Sequence, residues 1–296
     1  MNKTKLTIKD SAFTFLASFL LCQIGVVVAT CVTMIVYKLT KADMTIFFGY
    51  MNTSVGYLIS ALSLYFVMLL IFFFFHRGKE NKITGKINPT KLIMYIGIAI
   101  ASFISLYPII TCVDTLLFKI GVKISSLPYP LTTSNYFLSL ISLVVAPAVC
   151  EELLFRGIIF KGLKKHGKIF SIIISASMFC IFHMSISQSV YPILMGLLLG
   201  VIMFYENNIY YCIAVHLTNN FLSLTLSYFK INLIFNHWSY ILLAIILVVV
   251  FISCVLYFII RKNKFEEKTP LTTKEKIYLS ASFAIMILLW IIINFS

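Results

Sequence analysis

The chain has 296 residues, 60% of them apolar and only 11% charged, with 24 Lys and Arg against 10 Asp and Glu. That balance excludes an ordinary soluble domain, because repeated apolar runs of about 18 residues or more denote helices crossing a bilayer. The basic excess would suggest nucleic acid in a soluble protein. Here it is expected to reflect cytoplasmic loops and contact with anionic lipid, and no basic patch with interleaved aromatics points to nucleic acid.

In chain order, residues 1–10 are polar and the first apolar run covers 12–37. That run is too long for the apolar region of a signal peptide and lacks a clear small-residue cleavage site, so an uncleaved first span is expected. A second span is predicted over 55–75 and a third, containing Pro108, over 92–118, separated by the polar loop 76–91. The connection 119–133 carries Pro128 and Pro130 and is expected along the outer surface. The fourth span, 135–160, runs into a basic tail, 161–168. Short fifth and sixth spans cover 169–184 and 190–205. The seventh covers 209–228 and the eighth 240–260, and a charged loop, 261–276, precedes a ninth apolar run over 277–295. The expected architecture is an all-α, polytopic transmembrane helical bundle with eight or nine spans.

Loop charge sets the expected orientation. With the N-terminus inside, eighteen of the 24 Lys and Arg fall in the cytoplasmic segments 1–10, 76–91, 161–168 and 261–276. Cytoplasmic loops retain such an excess. The expected setting is a multi-pass protein of the cell membrane with a cytoplasmic N-terminus. Abundant Lys, Ile, Asn and Phe suggest a bacterium.

Three acids fall inside the spans: Asp114, Glu151 and Glu152. Asp114 is near the outer end of the third span, where a solvated or capping role is expected. The stretch from Pro147 to Gly157 instead sets two adjacent carboxylates and Arg156 at bilayer depth. Each ionised group there costs roughly 2.5–3.5 kcal/mol on insertion scales. Glu152 and Arg156 are at i and i+4, acid first, the better order for a pair on one helix face. Glu151 is turned about 100° away and is left free. Pro147 cannot donate to the Leu143 carbonyl, so a bend is expected just before the acids. A structural ion pair between helices is one reading, and the second, unpaired glutamate favours chemistry.

His183 and His216 also fall within spans. Phe179 and His183 share one helix face, as do His216 and Asn220. A lone intramembrane histidine ordinarily serves as a hydrogen bonder between helices, but two of them with an amide and a free glutamate suggest a site. At 1.5 Å per residue, Glu151 is about 15 Å from Lys161, His183 about 22 Å from Lys168, and His216 about 12 Å from Asn208. These depths are compatible with one site opening toward the cytoplasm. The seven cysteines lie in apolar segments without a CxxC pair and read as small hydrophobes.

Glu151-Glu152-xxx-Arg156, Phe179-xxx-His183 and His216-xxx-Asn220, in that order on spans four, five and seven, resemble the three motifs of the CAAX protease and bacteriocin-processing intramembrane proteases. The resemblance covers 134–229 as a catalytic core, with N-terminal spans in 1–133 and C-terminal spans in 230–296. It implies that Glu151 and His183 activate a water, and that His216 and Asn220 stabilise the oxyanion or help to hold a metal. Glu152, Arg156 and Phe179 would support them. A divalent metal such as zinc, on Glu151, His183 and His216, is a possible cofactor, and no HExxH motif decides the matter.

Peptide hydrolysis needs a base on a water and donors aimed at the developing oxyanion, which these residue types supply. The expected function is intramembrane endopeptidase action on a peptide or membrane-protein substrate near the cytoplasmic leaflet, in peptide maturation or bacteriocin self-immunity. The alternative is a non-proteolytic membrane scaffold or immunity partner. A proton-coupled transporter is disfavoured by the lack of an inverted repeat.

Overall fold

The first helix, α1, Ile8–Leu39, starts at Thr7. The Thr7 hydroxyl accepts the Asp10 backbone N–H, and the Asp10 carboxylate accepts that of Thr7 at 2.8 Å. This reciprocal cap satisfies two otherwise orphaned donors. Asp10 also pairs with Lys79 at 3.3 Å, just beyond α2, Ser54–His76. The start of α1 and the end of α2 therefore share one end of the bundle. Helix α3, Pro89–Lys119, has an Asn88 cap, a proline in its first turn and Pro108 inside.

There follow α4, Thr133–His166, α5, Lys168–Phe182, α6, Val190–Glu206, α7, Ile209–Tyr228, and α8, Thr273–Phe295. This computed structural model describes residues 4–40, 53–79, 82–124, 131–231 and 268–295, with isolated positions within 47–51 and 242–256.

The all-helical class is as expected, and no strand occurs among the described residues. Helices α1 to α4 and α8 are long and apolar enough to cross a membrane. The predicted fifth and sixth spans are the short helices α5 and α6, of 15 and 17 residues. The predicted seventh, α7, has 20 residues but falls outside the apolar class, because His216, Thr218, Asn219 and Asn220 interrupt it. The predicted eighth span, 240–260, lies outside the described residues apart from isolated positions. Many large apolar side chains of α1, α2 and α8, among them Val27, Phe66, Phe74 and Leu288, are exposed. Only a lipid surround accommodates so much apolar surface.

Helix α4 meets the Pro147 problem by changing its winding. Leu140–Val145 is π-helical, and the Ala146 N–H bonds the Ile141 carbonyl five residues back. The wider turn falls just where the proline lacks a donor. An α-helical stretch, Ala146–Leu154, carries the two glutamates, and a second π segment, Phe155–Ile159, follows. The acids thus sit between two local rewindings of one helix.

Helices α5 and α6 pack closely through small residues. A Cβ on Gly196 would lie 2.9 Å from the Ala176 Cα, so only glycine permits this approach. The same contact brings the Gly196 carbonyl to Arg156 Nη2 at 3.4 Å. Six described cysteines are free; Cys22, Cys150 and Cys212 are buried, as expected of small hydrophobes, whereas Cys31 and Cys112 are exposed.

The two ends of the bundle differ in character. At one end Lys161 and Lys164 meet Asn207, Lys91 pairs with Glu206 at 2.7 Å, and Lys165 pairs with Glu275 at 2.8 Å. At the other end Asn294 of α8 bonds the Met184 carbonyl and the Ile186 N–H.

Candidate active site

The centre of the bundle holds Glu152 and Arg156, both fully buried, paired at 2.8 Å across one helical turn as their spacing predicts. What spacing did not reveal is a third member. His216 Nδ1 lies 2.8 Å from the same Glu152 oxygen that receives Arg156 Nη1. A carboxylate oxygen beside Arg⁺ is an acceptor, so His216 donates through Nδ1. Its Nε2 is then turned toward Glu151, 4.0 Å from Oε2. That separation is too long for a direct hydrogen bond and leaves room for a water bonded to both groups. Glu151 and His216 each keep 8% of their surface exposed, so neither is sealed off.

Phe179 of α5 is the packing centre around these groups. Its ring lies 4.6 Å below the Arg156 guanidinium and meets His183 and His216 edge to face, at 4.9 and 5.9 Å. The charge is thus held by a π face as well as by Glu152. His183 Nδ1 lies 2.8 Å from the Phe179 carbonyl. A carbonyl only accepts, so Nδ1 donates and Nε2 is left for another partner. In both histidines a second-shell acceptor fixes the tautomer.

Arg156 and Glu152 are not a fully satisfied structural pair. Glu152 Oε2 and Arg156 Nε have no hydrogen-bond partner among the described residues. A buried pair retained only for stability has every lone pair and N–H matched, and incomplete matching at depth is the habit of functional sites.

A cavity of about 340 Å³ adjoins the cluster, lined by His183 and Asn220 together with Tyr107, Asp114, Tyr191 and Asn219. The structure brings two expected residues, His183 and Asn220, to its wall, while Glu151 and His216 lie outside the lining. Asn219 escaped the sequence reading, as did Tyr191. Asn219 is 2% exposed, accepts the Tyr191 hydroxyl and donates to the Val215 carbonyl at 2.9 Å. Its position three residues after His216 puts it on the histidine's side of α7, a signal the HxxxN pattern obscured. The cavity residues Asp114, Ile124 and Gln188 belong to the end opposite Lys91, Lys161, Lys164 and Lys165. The expectation of a site opening at the basic end is therefore not matched by this cavity: the ends of α3 and α5 that shape it lie away from the charged loops.

Among the described residues no three His, Cys, Asp or Glu side chains gather as a metal site. Glu151 and His216 approach each other, and His183, held at Nδ1 by the Phe179 carbonyl, keeps Nε2 for a further partner.

Residues 133–222 match the family model of the type II CAAX prenyl endopeptidases, Rce1-like. This core is thus similar to the CAAX protease family that the three motifs resemble, a family of proteases. No curated protein and no solved structure matches the chain.

Proposed function

We propose that the chain is an intramembrane endopeptidase in which Glu151 and His216 share the hydrolytic water. The supporting observation is the Glu152–His216 contact of 2.8 Å, which aims His216 Nε2 at Glu151. Glu151 takes the proton of the water as it attacks the scissile carbonyl, and passes it to the leaving amine. Asn220 and His183, on the cavity wall, face the substrate, and the Asn220 amide supplies a donor to the developing oxyanion. Glu152 accepts from both Arg156 Nη1 and His216 Nδ1, and so keeps His216 in the required tautomer. This exchanges the roles expected for the two histidines, because His216 and not His183 is the one oriented beside Glu151.

Substrates are membrane-associated peptides or proteins, entering by the end of the bundle that carries Asp114 and Gln188. With basic loops retained in the cytoplasm, that end faces away from the cytoplasm. Such access suits maturation of exported peptides or self-immunity to bacteriocins. The full count of eight or nine spans, with the N-terminus inside, belongs to the same proposal.

The test is the purified full chain in lipid nanodiscs, incubated with a peptide library and analysed by mass spectrometry, beside Glu151→Gln. New termini with the parent and none with Glu151→Gln are expected. Equal cleavage by both would overturn the assignment, and a scaffold would cleave nothing while retaining its phenotype in Glu151→Gln cells.

A further inference from the structure

Asp114 is the single Asp, Glu, Lys or Arg among the described residues that line the 340 Å³ cavity. Its Oδ1 is buried and has no hydrogen-bond partner among the described residues. Nor does its position in α3 account for it. Asp114 stands near the C-terminal end of Pro89–Lys119, where the helix dipole disfavours a negative charge and where a carboxylate cannot cap exposed carbonyls. Beside the solvated role that the sequence suggested for this half-buried residue, its Oδ1 is a carboxylate oxygen without a partner among the described residues. The chamber also has His183 and Asn220 in its walls, so whatever fills it meets Asp114, His183 and Asn220 together.

We infer that Asp114 forms a cation subsite, selecting peptide substrates with a Lys or Arg side chain close to the scissile bond. This rests on the endopeptidase reading for its biological meaning but not for its physical basis. A carboxylate that has lost part of its hydration gains most from an ammonium or guanidinium that supplies the missing hydrogen bonds. Tyr107 and Tyr191 flank the same space and provide aromatic surface along which the aliphatic stem of such a side chain packs.

Binding is measured separately from turnover to test this. The full chain carrying Glu151→Gln, which keeps the site but removes the base, is placed in nanodiscs. Fluorescence anisotropy then compares an apolar acylated peptide carrying one Lys, moved through successive positions, with its norleucine counterpart. At one or two positions the Lys peptide is expected to bind about tenfold tighter. Adding Asp114→Asn should reduce that ratio to about one, and Asp114→Glu should retain a preference. Equal affinity for Lys and norleucine peptides at every position, which needs no Asp114 variant, would overturn the subsite, as would a ratio that survives Asp114→Asn. Cleavage of the same peptides by the parent is scored apart. Asp114-dependent binding without cleavage would overturn the protease reading alone, and cleavage indifferent to Asp114 would overturn the subsite alone.

Discussion

His216 Nδ1 and Arg156 Nη1 converge on one oxygen of Glu152, each at 2.8 Å, although His216 is 64 residues away in sequence. Glu152 is therefore a hinge between an ion pair and an imidazole, and the adjacent Glu151 is the acid left to do chemistry. The first prediction follows from that division. Glu151→Gln should lower kcat by at least about 10²-fold while leaving the melting temperature close to the parent's. Parental turnover by this variant would remove Glu151 from the base role.

Arg156 is wholly buried beside Glu152 and over Phe179. Arg156→Ala removes the cation beside a buried carboxylate and leaves it only the His216 contact, with an expected loss of about 3–5 kcal/mol in stability. Thermal unfolding in detergent reads this directly. A variant as stable as the parent but inactive would assign the arginine to the chemistry instead.

The neighbouring amides of α7 should behave differently. Asn220 lines the cavity without a buried hydrogen-bonding duty, and Asn220→Ala should cost about 10²-fold in kcat with little change in stability. Asn219→Ala strands the Tyr191 hydroxyl and should cost about 1–3 kcal/mol of stability. If the two variants fell together on both measurements, Asn219 and Asn220 would not have separate roles.

Metal dependence follows from the ligand set. Because no three His, Cys, Asp or Glu side chains gather as a metal site among the described residues, chelators should leave turnover intact and purified protein should carry zinc well below one per chain. One zinc per chain, lost in both His183→Ala and His216→Ala, would replace the proton-transfer scheme with a metal-held water.

Orientation is read by labelling single cysteines placed in a background without the native ones. Lys82→Cys should react with an impermeant maleimide only after the cells are opened, and Gln188→Cys before. The reverse pattern would put the cavity mouth in the cytoplasm and restore the access expected from the depth argument.

The sequence by itself determined what neighbouring residues on one helix decide. Apolar runs fixed the all-helical class, and four-residue spacing fixed the Glu152–Arg156 pair. The same spacing placed His183 one turn from Phe179, where its Nδ1 meets the Phe179 carbonyl. Periodicity names the face of a helix but not the helix that covers it. Only the tertiary structure could therefore bring His216 to Glu152, join Asp114 of α3 to the cavity of α5, α6 and α7, and set that cavity at the end opposite Lys161 and Lys164. The winding of α4 also lay beyond the sequence. Pro147 announces a missing donor, but whether the helix bends or widens into a π turn depends on the packing around it, and here it widens over Leu140–Val145.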